Sequence, residues 1–252
     1  SLYAFARYAD EIVDSLDDQP VAQRSAALTE LADRFFTDLA RGSSEHPVCA
    51  ATVDTALRWN IPTAHFEAFI ESMQMDLHIG HYDTYADLEK YVYGSAAVIG
   101  LQMVPILEPS SERAYGYAKD LGYAFQLANF IRDVGEDLDR ERIYLPLDEL
   151  AQFGVTANDV RSRVVTDQFR EALKFQIARV RRLESASRPG IELLSPDSQP
   201  CIETARILYC GIVDEVEKND YQVFTTRAKV PLGRRLAVAI PGWQKARRAR
   251  RR

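Results

Sequence analysis

The chain has 252 residues, 46% hydrophobic and 27% charged, enough to bury a core within one large domain. No apolar run reaches the roughly 18–20 residues of a membrane-spanning helix, and the opening Ser1-Leu2-Tyr3, followed closely by Arg7 and Asp10, lacks a secretory pattern. Net charge is −6, but residues 245–252 carry six positive charges and no negative one, leaving −12 elsewhere; the acidic body disfavours nucleic acid, while the basic end can meet anionic lipid.

Cys49, Cys201 and Cys210 have no metal-ligand spacing and cannot all pair. A reducing cytoplasm is the expected compartment. A motif begins at Ser1 with no initiator methionine, so the sequence reads as lacking an N-terminal helix.

In chain order the periodicity is helical almost throughout, with no convincing strand pair. A first helix spans Ser1 to about Leu16, and Pro20, Pro47 and Pro62 open three more. After Pro62, Phe66, Phe69, Ile70, Met73 and Leu77 recur at helical spacing. Thr84 with Asp87 resembles a capping box and starts a helix to about Leu107. The Pro109-Ser110-Ser111 turn leads into a long helix ending near Asp139, and Tyr144-Leu145-Pro146 breaks the pattern. Thr156 with Asp159 caps a helix expected to reach Ser185, and the proline- and serine-rich stretch to Pro200 reads as a loop. A further helix covers Cys201 to Asn219. Residues 228–252 read as a basic tail, either disordered or lying on a membrane through Leu232, Leu236, Val238, Ile240 and Trp243. The simplest architecture is a single all-α domain over 1–252.

Two constellations carry chemistry. Tyr3, Arg7, Asp10 and Asp14 share one stripe of the first helix. Asp10 and Asp14 repel at i,i+4, which costs about 0.2–0.5 kcal/mol unless a cation offsets it. Arg7 or a divalent metal can serve. Gln126, Asn129, Asp133 and Asp137 form the second stripe, with Arg132 beside it and apolar Leu127, Phe130, Ile131, Val134 and Leu138 on the adjoining face. Gly135 sits mid-helix at a cost of about 1 kcal/mol, which marks close approach of a ligand or backbone. Carboxylates and a carboxamide are hard oxygen donors of the kind magnesium selects. Two such stripes facing across a bundle can grip a diphosphate through magnesium and stabilise it as a leaving group, helped by Arg7 and Arg132. The spacing of an EF-hand is absent from Asp133 to Asp139, the four histidines lack zinc-protease spacing, and no Walker or Rossmann glycine pattern or Ser-His-Asp signature occurs.

At these stripes the chain resembles the squalene and phytoene synthase family. Tyr3-Ala-Phe-Ala-Arg7-Tyr-Ala-Asp10-Glu-Ile-Val-Asp14 is similar to its first aspartate-rich motif. Gln126-Leu-Ala-Asn129-Phe-Ile-Arg132-Asp133-Val-Gly-Glu-Asp137 is similar to the second, continued by Arg142-Ile-Tyr144-Leu-Pro146. Met73-Gln-Met-Asp76-Leu, Tyr91 to Gly100, Tyr209 to Tyr221 and Val223 to Arg227 also match. The chain departs from the family at Ser95-Ala-Ala-Val-Ile, where relatives more often read Val-Ala-Gly-Thr-Val, and at Thr226, where many carry arginine.

The resemblance implies an isoprenoid-synthase-type helical bundle around a cavity, with diphosphates at its mouth and chains in an apolar tunnel. It implies head-to-head condensation of two geranylgeranyl diphosphates to phytoene through a cyclopropyl diphosphate. Asp10, Asp14, Asn129, Asp133 and Asp137 would hold Mg2+, with Mn2+ as a substitute and no need of NADPH. Tyr3, Arg7, Tyr91, Gln126, Asn129, Arg132, Tyr209 and Arg227 would contact substrate. The alternatives are a dehydrosqualene or squalene synthase using farnesyl diphosphate, and a catalytically silent lipid-binding or assembly subunit.

Overall fold

A computed structural model describes residues 1–14 and 19–251. Leu16, the expected end of the first helix, and Arg252 of the basic end lie outside the described residues. The helices in chain order are α1 (Leu2–Asp14), α2 (Val21–Arg41), α3 (Pro47–Arg58), α4 (Thr63–His78), α5 (Tyr85–Val92), α6 (Val98–Met103), α7 (Arg113–Asp139), α8 (Leu147–Ala151), α9 (Ala157–Arg161), α10 (Asp167–Ser187), α11 (Gln199–Lys218) and α12 (Leu232–Ala249). Among the described residues the β-pairing amounts to one isolated bridge, His81 to Ile143.

Two apolar cores flank the site. The first joins α1 to α4 and α6. The face of α1 opposite its acidic stripe buries Leu2, Phe5, Ala9 and Val13. Phe5 anchors it, with its ring centroid 4.5 Å from Phe35 and 6.1 Å from Phe66. The second core surrounds α7, whose Leu127, Phe130, Ile131 and Val134 pack with Phe169, Leu173 and Ile177 of α10 and Val213 of α11. The apolar side of each acidic helix is thus rooted in a different core, and the two acidic sides meet between them.

Four expectations change. The helix capped by Thr84, whose hydroxyl accepts from the Asp87 amide at 3.2 Å, does not run evenly to Leu107. It passes through a π-turn over Tyr93–Ala97 before α6, then a 3-10 turn over Pro105–Leu107. The turn is pinned to α4: a Cβ on Gly94 would stand 2.0 Å from the Ala68 carbonyl oxygen, and Ser72 Oγ donates to the Tyr91 carbonyl at 2.9 Å.

The helix expected from Thr156 to Ser185 is divided. Thr156 and Asp159 do form the capping box, but α9 stops at Arg161, and Arg163 takes a left-handed φ of 58°. Thr166 then caps α10, accepting from the Phe169 amide at 3.1 Å. The supposed loop before Pro200 contains a 3-10 turn, Arg188–Leu193.

The disordered alternative for the 228–252 tail does not hold for 232–249, which form α12. Arg234 donates to Asp214 at 3.0 Å and to Glu215 at 3.1 Å on α11. Gly242 lies so near Thr204 that a Cβ would come within 2.3 Å of its hydroxyl. These contacts offset the helix-breaking Pro241 within α12. Leu232, Leu236, Ile240 and Trp243 remain exposed on its outer stripe, while Val238 is half-buried.

Candidate active site

α1, α4, α5 and α7 converge on a cavity of about 600 Å³. Tyr3, Arg7, Asp10 and Asp14 line it from α1, and Gln126, Asn129, Arg132, Asp133 and Asp137 line it from α7. Tyr91 and Tyr209 complete the expected set in its wall. Arg227 alone stands outside that wall and reaches Asp133 from the rim. Both stripes therefore face one space, as their helical spacing requires.

The four aspartates differ in their surroundings. Asp10 accepts from Arg7 Nη1 at 3.0 Å, and burial, reinforced by Asp14, raises its pKa. Asp14 accepts from Arg142 Nη1 at 3.1 Å. Asp133 is clamped by Arg132 Nε at 2.6 Å and by Arg227 Nε at 2.9 Å. Burial pushes its carboxyl up, but the two guanidinium groups outweigh burial and hold it below the ordinary range. Asp137 receives no side-chain hydrogen bond from the described residues. Burial, with Asp133 adding like charge, pushes its carboxyl up to about 8.

Gly135 explains how Arg227 arrives. A Cβ there would meet the Val223 carbonyl oxygen at 2.9 Å and that of Phe224 at 3.0 Å. Its absence lets the 223–227 segment lie against α7. Phe224 fixes that segment by stacking on Phe169, with centroids 5.1 Å apart.

Sequence reasoning did not assign site roles to Asp76, Arg140, Arg142, Tyr144 and Ser95, yet all line the cavity. Asp76 accepts from Tyr91 Oη at 2.7 Å and Tyr144 Oη at 2.8 Å, and Arg142 donates to its backbone carbonyl at 3.0 Å. Burial raises its pKa against the pull of Arg142. Tyr144 stacks on Phe130 at 4.2 Å, with an interplanar angle of 6°, and lies 5.5 Å from Tyr91. The signal was one acid closing an otherwise apolar run, Phe66, Phe69, Ile70 and Met73.

The donor set fits a hard divalent cation. Asn129 Oδ1 is buried without a partner, and the Asp137 carboxylate is unclaimed by any described side chain. Among the described residues no three acidic, histidine or cysteine side chains already enclose one point. Ions here would be completed by phosphate oxygens and water, as is usual for magnesium.

A second cavity of about 330 Å³ opens from the first. Ser95, Ile99, Gln126, Asn129 and Tyr209 line both. Beyond them the walls are apolar or small: Gly100, Met103, Ala118, Leu121, Phe125 and Ile202. Tyr209 stacks on Phe125 at 4.8 Å beside the junction. Ser95 Oγ is buried there without a partner.

An all-helical bundle with an acid- and arginine-lined mouth over an apolar tunnel defines the class of helical isoprenoid synthases. The comparisons resolve the class further: a sequence profile for squalene/phytoene synthase matches residues 1–234, and the chain belongs to that family. It is 38% identical over 251 residues to chloroplastic phytoene synthase 1 of Arabidopsis thaliana, covering 96% of this chain and 58% of that protein. It is 36% identical over 252 residues to the phytoene synthase of Arthrospira platensis, covering 94% of this chain and 80% of that one. The structure is similar to that of a dehydrosqualene synthase, with a TM-score of 0.86, 26% identity, and coverage of 98% and 85% of the two chains.

Proposed function

We propose that the chain condenses two geranylgeranyl diphosphates head to head, forming phytoene through a cyclopropyl diphosphate, as a step of carotenoid biosynthesis. The observation that carries this reading is the junction at Gln126, Asn129 and Tyr209, where the acidic mouth becomes the apolar tunnel. One molecule can set its headgroup in the first cavity and its chain in the second. The names of the relatives from Arabidopsis and Arthrospira support the same reaction.

Asp10, Asp14, Asn129, Asp133 and Asp137 are the residues that would hold magnesium, or manganese in its place. The bound ions supply charge neutralisation that makes diphosphate a better leaving group. Arg7 and Arg142 flank the two α1 aspartates and can turn to phosphate oxygens. Arg132 and Arg227 are engaged with Asp133, so phosphate and metal would draw that triad apart. Tyr3 stands at the rim, 80% exposed, positioned to meet an entering headgroup. The rings of Tyr91, Phe130 and Tyr144 present a π surface to allylic cations. The apolar tunnel keeps water from quenching those cations. The final cation loses a proton, so NADPH has no part in the proposal.

The test is incubation with magnesium and farnesyl or geranylgeranyl diphosphate, with and without NADPH, followed by mass analysis of the hydrocarbon. A forty-carbon product without NADPH supports the reading. A thirty-carbon product moves it to the farnesyl branch, which the likeness to the dehydrosqualene synthase favours. No product from either substrate revives the silent-subunit reading.

Among the described residues no helix is long and apolar enough to cross a membrane. The outer stripe of α12, Leu232, Leu236, Ile240 and Trp243, is nevertheless exposed, and Arg247 lies over the Trp243 ring at 5.4 Å. Arginines beside an apolar stripe match an anionic membrane surface. The proposed setting is the cytoplasmic side of such a membrane, with no nucleic-acid partner. Co-flotation with anionic but not neutral vesicles, lost in Trp243→Glu, is the expected result; equal flotation of the variant sinks it.

A further inference from the structure

The two cavities meet at a junction, and the residues common to both walls are Ser95, Ile99, Gln126, Asn129 and Tyr209. Two polar atoms in this set are buried with no partner among the described residues, and they are of opposite kind. Asn129 Oδ1 is an acceptor and suits a cation. Ser95 Oγ carries a proton to give.

Ser95 Oγ is unpartnered for a local reason. A serine inside a helix commonly bonds the carbonyl four residues back. For Ser95 that carbonyl belongs to Tyr91, and it already accepts from Ser72 Oγ at 2.9 Å. The π-turn over Tyr93–Ala97 carries Ser95 at the wall, and neighbours clamp it from both sides. A Cβ on Gly94 would collide with the Ala68 carbonyl and the Ser72 hydroxyl of α4, and one on Gly122 of α7 would stand 3.0 Å from the Ala97 Cα. The backbone of the turn cannot retreat from the junction. The side chain can still rotate, because a change of χ1 between staggered positions breaks no hydrogen bond there. Ser95 also opens the segment at which the chain departs from its family, where relatives more often carry valine.

With a headgroup in the first cavity and its chain in the second, the bond between them lies at the junction. That bond joins C1 of the prenyl chain to the bridging oxygen of the diphosphate. On ionisation it breaks, both electrons pass to the bridging oxygen, and the allyl group is left cationic. The bridging oxygen gains negative charge as this happens. A positioned donor beside it is therefore stronger in the transition state than in the ground state.

We infer that the Ser95 hydroxyl donates to the bridging oxygen of the prenyl diphosphate whose chain enters the tunnel, and is a catalytic residue for its ionisation. The proton stays on Oγ throughout, as a hydrogen bond to the departing oxygen. The inference rests on the proposed use of prenyl diphosphates at the mouth.

Single-turnover release of diphosphate is followed with magnesium in the wild type, Ser95→Ala and Ser95→Cys, on whichever of geranylgeranyl and farnesyl diphosphate is turned over. Hydrocarbon is assayed in parallel. Alanine removes the hydroxyl at nearly constant size, and cysteine keeps the size with a weaker donor. Both variants are expected to release diphosphate about tenfold more slowly. Affinity for the unreactive analogue with sulfur in place of the bridging oxygen, a weak acceptor, is expected to stay within about twofold of wild type. Release at the wild-type rate in either variant overturns the inference. So does an affinity for the sulfur-bridged analogue that falls as far as the rate, since the serine then only shapes the site. If one variant fails to fold, the other decides alone. Slower release in the variants with no hydrocarbon from any of the three proteins sinks the proposed condensation and leaves Ser95 its role. No release from either substrate by the wild type overturns both.

Discussion

Asp137 and Glu149 are acids turned toward the interior twelve residues apart in sequence, and their surroundings are opposite. Glu149, at the start of α8, accepts from Gln176 Nε2 at 2.7 Å and Arg179 Nη1 at 2.8 Å, both on α10. Arg179 in turn lies 3.8 Å over the Tyr85 ring. Burial pushes the Glu149 carboxyl up, but the hydrogen bonds from Arg179 and Gln176 win and lower it. Asp137 has no such partners and is pushed up to about 8. The acid that ties α8 to α10 is satisfied by the protein, whereas the acid that lines the cavity between α1 and α7 has no side-chain partner among the described residues.

The largest expected effect separates the two by activity. Asp137→Asn is expected to cut turnover at least about 1000-fold, some 4 kcal/mol of barrier, while leaving Tm unchanged or higher. Product formation and calorimetry check both halves, and a large fall in Tm would erase the distinction. Glu149→Ala should do the reverse. It leaves the half-buried Arg179 guanidinium without its carboxylate and is expected to cost roughly 2–3 kcal/mol of stability, read by denaturant unfolding, with kcat in the folded fraction near wild type.

Gly135→Ala joins the two behaviours. Its methyl must displace the Val223–Phe224 backbone, at roughly 1–3 kcal/mol. Because the same segment carries Arg227, diphosphate affinity is expected to fall with stability, and titration with inorganic diphosphate and magnesium checks it. The smallest effect is in acid. The folded pKa of Glu149 lies below the unfolded value, so its contribution is complete above roughly pH 4.3. It is lost as pH falls through the lower folded value. Tm followed from about pH 6 to pH 3 should fall more steeply in wild type than in Glu149→Gln; parallel curves would remove Glu149 from the account.

Much of this was legible because it is periodic. Spacing alone placed Asp10 with Asp14 and Asp133 with Asp137 on two stripes, and the mid-helix Gly135 announced a close approach. What sequence could not show is who neutralises whom. Arg142 reaches Asp14 across 128 positions of sequence, and Tyr91 reaches Asp76 from a different helix. Helix ends failed where local signals competed. Thr156 and Thr166 are both good caps, and only the left-handed Arg163 between them shows that two helices are present. At the C-terminus, charge density suggested a tail, but Arg234 converts that charge into packing through Asp214 and Glu215.

The π-turn at Tyr93–Ala97 amounts to one residue more than a regular helix would hold there. Removing that residue would let the turn close as ordinary α-helix, with the segments on either side keeping their facing. Tyr91 would still face the acids and Ile99 and Met103 the tunnel wall, while the local change would fall on Gly94, where the turn abuts the Ala68 carbonyl. The turn thus takes in one residue without disturbing the register on either side, so the acid-lined wall before it and the apolar wall after it keep their facing through an insertion.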